Sequence, residues 1–384
     1  MSIKHIDTLR KLFENANIGR LTIYTPNDQE VSFSGPELGP EGDFKIHDWK
    51  VLDMIAKRGD IGLGEAYHMG LWDSSNISDF LTYCCVNLSK IGSAGKANFY
   101  NKIAFYLYNQ LIRLNTKYGS KKNILAHYDI GNDFYSLWLD PTMTYSSAIR
   151  NNKEDDLEQS QVNKYNRIIN NLELADKKVL EIGCGWGGFA EQAAKVGAQL
   201  TGITISDRQH DFAKKRLGNS ANILKQDYRD VHDTFDRVVS IEMFEAVGEK
   251  YWPAYFNQIK KSLVKGGRAI IQTITIDDEA FSQYRKDSDY IRHHVFPGGM
   301  LPSRAVFCHE ARKANLDVGE IFDFANDYAW TLGQWQKKFS QHKEQLISMN
   351  YPEAFLRAWD YYFSVSIASF KSGRTNVMQV ELIN

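Results

Sequence analysis

From about residue 160 onward, short continuous apolar runs alternate with longer stretches whose apolar positions recur every three or four residues. The runs are KKVLEIGC, AQLTGITIS, NILKQD, FDRVVSIEMF and GGRAIIQTITI. A strand covered on both faces reads as such a run, and an amphipathic helix reads as the intervening pattern. The alternation predicts a parallel, doubly wound sheet. LDVGEIFDF and TNVMQVELI predict two more strands, with a helix over residues 353–371 between them. A closing strand after a long helix is expected as an antiparallel strand appended at the sheet edge.

The first part of the chain has a different rhythm. LTIYTPNDQEVSFSG predicts a hairpin turning at Pro26-Asn27-Asp28. GLGEAYHMGLWDSSNISDFLTYCCVNL reads as mixed structure, with Asp79 near a helix start. NFYNKIAFYLYNQLIRLN places Phe99, Ile103, Leu107, Leu111 and Leu114 on one helical face. Arg113, Lys117, Lys121 and Lys122 follow, as the solvated basic end of an interdomain helix or as a membrane-surface contact. The expected organisation is a small α+β domain over 1–115, a linker over 116–124 and a catalytic α/β domain over 125–384.

Composition narrows the class. The 384 residues carry 46 Lys+Arg against 47 Asp+Glu, a net charge of −1, which argues against bulk nucleic-acid binding. Cys84, Cys85, Cys184 and Cys308 form no C-x-x-C pair or zinc pattern, as expected of a reduced cytoplasmic protein. The N-terminus lacks a signal-peptide apolar core, and no run approaches the ~20 apolar residues of a membrane span. A lipid substrate would be reached from the membrane surface. His293-His294 has no carboxylate or Cys at ligand spacing, so no metal site is expected.

The turn after the first strand of this region, VLEIGCGWGGFA, is rich in glycine. Gly183, Gly185 and Gly188 satisfy G-x-G-x-x-G, a weak dinucleotide pattern by itself. Ligands of open parallel sheets bind beyond the carboxyl ends of the strands. The residues there are Thr204, Ile205, Ser206 and Gln209 after the second strand, Asp227 and Tyr228 after the third, Glu245 after the fourth, and Gln272 and Ile274 at the fifth. That set is polar, aromatic and acidic. It suits S-adenosylmethionine (SAM), with its sulfonium, ammonium, ribose and adenine, better than a pyrophosphate. The pattern resembles the Rossmann-like class I SAM-dependent methyltransferases, whose seven-stranded sheet carries helices on both faces.

Four further motifs sharpen the resemblance: HYDIGNDFYSLWLDPTMTYSSA (127–148), EMFEAVG (242–248), QTIT with FPGGMLPS (272–275 and 296–303), and NDYAWTLGQW (326–335). Together they resemble the cyclopropane-fatty-acyl-phospholipid synthase family, almost continuously over residues 123–384. LGEAYHMGLWDSSNISDFL also resembles the N-terminal domain of full-length bacterial members. The resemblance implies SAM-dependent methylation of a cis double bond in a phospholipid acyl chain, with S-adenosylhomocysteine as the other product. It implies a protein peripheral at the inner membrane surface, with the N-terminal region serving lipid access or self-association as a homodimer. Cofactor contacts carry over to Tyr145, Ser146, Gly183, Gly185, Thr204, Ile205, Gln209, Asp227 and Tyr228.

The family holds a bicarbonate as proton acceptor, using a Cys, a Glu, a His, a backbone group and a Tyr. Glu245, Ile274 and Tyr328 match. Ser147 stands at the Cys position, Gln272 at the His position, and Ala246 where a His often follows the Glu. Serine and glutamine hydrogen-bond an anion but bring no positive charge. The main expectation is a cyclopropane. The alternative is the same methyl transfer ending in a methyl or methylene branch. A methyltransferase of a soluble small molecule, or a non-catalytic lipid-binding protein on the same fold, are readings from other classes. His127 and Asp129 open a family motif and are expected to close over the site.

Overall fold

The computed structural model describes residues 2–91 and 130–384. The helix expected near residues 98–115, its basic end, the linker, and His127 with Asp129 lie outside the described residues. Two compact units are present. The described part of one comprises the chain up to Ile91 with Lys286–Val295 and Phe339–Arg374; the other holds the stretch from Ile130 to Arg285 with Phe296–Lys338 and Thr375–Asn384. The first unit is therefore not built from the N-terminal sequence alone.

In that first unit, β1 (Ile18–Tyr24), β2 (Glu30–Ser34), β3 (Glu37–Ile46) and β4 (Trp72–Asp73) form a sheet ordered β2-β1-β3-β4. The expected hairpin is present: Tyr24 pairs with Glu30 across the turn, and Asp28 adopts a left-handed φ of 57°. Asn76 caps the helix Ile77–Val86 by accepting from the Asp79 amide. The long helix Glu353–Lys371 brings Tyr361 against Trp72, which itself packs on Phe44 and Phe80.

The second unit contains seven strands, each overlapping one predicted from the runs: β5 (Lys178–Ile182), β6 (Gln199–Thr204), β7 (Asn222–Lys225), β8 (Phe235–Ile241), β9 (Leu263–Ile276), β10 (Asp317–Asp323) and β11 (Thr375–Ile383). Their order is β10-β11-β9-β8-β5-β6-β7, with β5 to β9 parallel. Successive strand residues feed opposite cores. Leu180, Val238 and Ile271 enter one apolar cluster, and Val179, Val239 and Ile270 the other. This is the predicted doubly wound sheet.

One expectation is corrected. β11 is antiparallel but lies inside the sheet, pairing with β9 from Thr375↔Ile276 to Ile383↔Arg268 and with β10 on its other side. Val377, Met378, Val380 and Leu382 are wholly buried, so the strand needs neighbours on both edges and cover on both faces. β10, largely exposed, takes the edge. Among the described residues, no helix is long and apolar enough to cross a membrane.

Candidate active site

Most of the predicted site residues fall at the carboxyl ends of β5, β6, β8 and β9. At the glycine turn, Gly183, Gly185 and Gly187 have φ of 81°, 52° and 85°, a left-handed region that only glycine enters freely. A Cβ at Gly183 would stand 2.9 Å from the Met243 side chain, whereas nothing lies within 4 Å of one at Gly185. The turn is thus held against the protein on one side and open on the other. The amides of Gly183 and Cys184 bond Ile203 O and tie it to the end of β6. The helix Gly188–Lys195 follows and aims its N-terminal amides back at the turn.

After β6, Ser206 caps the helix Asp207–Leu217 by accepting from the Gln209 amide. Thr204 Oγ1 donates to Gln209 Oε1 at 2.9 Å, which fixes the orientation of that side-chain amide. After β7, the Asp227 carboxylate accepts from the Arg229 backbone, Nε and Nη2 at 3.0, 2.8 and 2.7 Å. The Tyr228 ring meets Tyr255 edge-on at 5.5 Å. Tyr145 packs among Tyr135, Trp138 and Trp335. Ile205 sits half-buried between Thr204 and Ser206.

The predicted anion-site residues do come together, but around a side chain not singled out from the sequence. Glu242 Oε1 accepts from the Ser147 amide at 2.8 Å and from Gln272 Nε2 at 2.7 Å. Its Oε2 accepts from the Tyr328 hydroxyl at 2.5 Å. Gln379 Nε2 donates to Gln272 Oε1 at 3.0 Å, so Gln272 is oriented with its NH2 toward Glu242. The Ser147 hydroxyl turns away and donates to Ala148 O. Glu242 has a φ of 50° directly after β8, a conformation that costs a non-glycine residue roughly 1–3 kcal/mol. Such strain persists where the surroundings hold the residue for a purpose.

Glu245 lies one 3-10 turn further on. Its Oε1 accepts from the Ile274 amide at 2.6 Å and from Thr273 Oγ1 at 3.1 Å. Its Oε2 is shielded from solvent and has no hydrogen-bond partner among the described residues. Burial pushes the Glu245 carboxyl up to about 8, and the charge of Glu242 adds to the shift. Burial also raises Glu242, while its bond from Tyr328 and the charge of Lys164 pull it back.

A buried lysine adds its charge to the surroundings of Glu242. Lys164 is wholly buried, on the helix Leu157–Leu172. Its Nζ donates to Ser146 Oγ at 2.6 Å and to Gln161 Oε1 at 2.7 Å. Gln161 Nε2 in turn holds Ser146 O at 2.9 Å. Burial lowers Lys164, and the charges of Glu242, Asp140 and Glu181 oppose the shift. Lys164 and Gln161 carried no signal in a polar helical stretch. The Glu242 signal was available: an acid immediately after a strand, where a left-handed turn favours glycine.

The donors expected to hold a bicarbonate are therefore bonded to the chain's own carboxylates, and the set does not fit that ion as a resident group. The turn, the hydroxyls and the aromatic faces do fit SAM.

Comparison with known proteins agrees. The family model described as mycolic acid cyclopropane synthetase matches residues 115–380. A tuberculostearic acid methyltransferase of Mycobacterium tuberculosis is 32% identical, covering 86% of this chain and 80% of the relative. The cyclopropane-fatty-acyl-phospholipid synthase of Escherichia coli is also 32% identical, covering 88% and 87%. The solved structure of mycolic acid cyclopropane synthase CmaA1, complexed with SAH and CTAB, superposes with a TM-score of 0.65 at 28% identity, covering 69% of this chain and 98% of that one. With its seven-stranded sheet and glycine turn, this chain is a SAM-dependent methyltransferase and belongs to the cyclopropane synthase family.

Proposed function

We propose that this enzyme methylates a cis double bond in a phospholipid acyl chain and releases a methylene-branched chain in place of a cyclopropane. The observation that carries the reading is Glu242. Its carboxylate takes the hydrogen bonds of Ser147, Gln272 and Tyr328, the positions that the resemblance assigns to a bound anion. The negative charge is then a tethered part of the chain, with both oxygens engaged.

SAM supplies an electrophilic methyl group. We assign its methionyl and ribose parts to Tyr145, Ser146, Gly183, Gly185, Thr204, Ile205 and Gln209, and the adenine to the face of Tyr228. Asp227 acts there through Arg229, to which its carboxylate is bonded. The π electrons of the double bond form the new C–C bond, the C–S bond breaks, and the sulfur keeps its electron pair. A cation remains on the neighbouring acyl carbon. The fixed charge of Glu242 stabilises it in a site shielded from water.

Ring closure needs a base that follows the protons of the new methyl group while the third bond forms. Glu242 is held by three hydrogen bonds and a strained backbone and does not follow them. A hydride shifts from the methyl-bearing carbon to the cationic carbon, which moves the positive charge onto the methyl-bearing carbon. One methyl proton then passes to Glu245 Oε2, and its C–H electrons form the C=CH2 double bond of the methylene branch. The balance is one alkene and one SAM giving one methylene chain, one S-adenosylhomocysteine and one proton. A saturated methyl branch would need a separate reductase.

The test is mass spectrometry of lipids from a cyclopropane-negative bacterium expressing the chain and fed methyl-labelled methionine. A labelled methylene chain is the expected product. A labelled cyclopropane overturns the assignment of product. Lipids without label, from a protein that binds SAM, overturn the assignment of substrate.

A further inference from the structure

We propose that Glu65, His293 and His294 form a site for a zinc-class divalent ion in the first unit, and that Arg58 is the cation such an ion displaces. One ligand atom from each of the three lies within 4.8 Å of the others. Glu65 comes from the helix Asp60–His68, and the two histidines from the π-helical turn Ile291–Val295. Neighbouring residues on a helix ordinarily point apart. Here the two rings sit 4.6 Å apart; His293 reaches Arg58 at the end of the helix Lys50–Arg58, and His294 reaches Glu65 on the next helix. The carboxylate missing from the sequence pattern around the pair is supplied by a residue 229 positions from His294.

The donors already converge on a positive charge. Arg58 Nη1 donates to both Glu65 oxygens, at 2.5 and 2.6 Å, and Arg58 Nη2 lies 3.2 Å from His293 Nε2. A guanidinium only donates, so His293 Nε2 presents its lone pair to that cation. The second histidine closes the group, with His294 Nε2 at 3.1 Å from Glu65 Oε1. Two imidazole nitrogens and one carboxylate make a donor set for zinc rather than for magnesium or calcium, which prefer oxygen. The set leaves one coordination position for water. The Arg58 side chain is 39% exposed and has solvent to swing into. An ion in its place would fasten the helix Asp60–His68 to the Ile291–Val295 turn.

The test uses the untagged full chain after chelation, titrated with Zn²⁺ by calorimetry and with Co²⁺ by visible absorption. One Zn²⁺ per chain is expected, with the intense visible bands of four-coordinate Co²⁺. Arg58→Met should bind Zn²⁺ more tightly than the parent, since it removes the competitor. His293→Gln and Glu65→Gln should each weaken binding by roughly 10–100-fold or more. Circular dichroism of each variant separates lost ligands from lost folding. Failure of both the parent and Arg58→Met to bind Zn²⁺ overturns the proposal. So does binding unchanged in folded His293→Gln, or no tighter in Arg58→Met than in the parent.

Discussion

Glu242→Gln tests the assignment of charge in the active site with almost no change of shape. The glutamine Oε1 keeps the bonds from the Ser147 amide and Gln272 Nε2, at 2.8 and 2.7 Å in the parent. Its NH2 meets the Tyr328 hydroxyl, which turns from donor to acceptor. The hydrogen bonds survive, and folding should change by less than the cost of breaking a buried charge group, about 3–5 kcal/mol, because Asp140 and Glu181 still face Lys164. Catalysis should fall. A preorganised charge beside a developing ion is worth roughly 10²–10³ in rate, or about 3–4 kcal/mol. A second consequence has a definite sign. The Glu242 charge is the second-largest cause raising Glu245, whose carboxyl stands at about 8. Ionised Glu245 is the form that accepts the proton, so parent turnover should rise with pH through about 8. Without the Glu242 charge, Glu245 ionises more easily and the rising limb moves to lower pH. The assay is transfer of labelled methyl from SAM to unsaturated phospholipid vesicles across the neutral and alkaline range. Affinity for S-adenosylhomocysteine, which should not change, serves as control. A variant within threefold of the parent, or a rising limb that stays in place, would refute both the charge assignment and the proton acceptor.

How far the sequence could be read follows from how local each feature is. Seven apolar runs marked seven strands because a strand covered on both faces must be apolar throughout. The glycine turn was legible because its φ values require glycine at Gly183, Gly185 and Gly187. The position of β11 was not, because strand order is set by pairing between segments about a hundred residues apart, such as Thr375 with Ile276. The role of Glu242 was hidden for the same reason. Its partners Ser147 and Tyr328 lie 95 and 86 residues away, and Glu245 is the acid that matches the family motif. Lys164 shows the other limit: a lysine in a polar helical stretch reads as a solvated one until the fold buries it.

The buried charges make two further predictions. The first concerns pH and stability. Glu181 and Glu245 both stand at about 8 in the folded chain, chiefly through burial, against an ordinary 4.5. The folded state therefore binds these protons more tightly, and their contribution is full below about pH 4.5 and lost as pH rises through about 8. Lys164 is lowered to about 7 from 10.5, so it adds stability only as pH rises above about 7. Between about pH 5 and about pH 7 these two carboxyls, joined by Asp60, which burial raises to about 7, outweigh His68, whose lowering to about 4 acts the other way, and the urea midpoint of the protein should fall. A midpoint that rises across that window would mean that neither acid is held protonated. The second prediction is Lys164→Met. The methionine fills most of the space but leaves Ser146 Oγ and Gln161 Oε1 without their donor, and Glu242 without its cation. Removing one member of a buried charge group costs about 3–5 kcal/mol, because the other charges stay behind. If the cost is electrostatic, adding Glu242→Gln to Lys164→Met should restore part of the loss, since it removes the stranded carboxylate. If the cost were only packing, the second substitution would add its own penalty instead. The urea midpoints of the two single variants and the double variant separate these cases. A double variant less stable than Lys164→Met alone would show that Lys164 fills space rather than balancing the charge of Glu242.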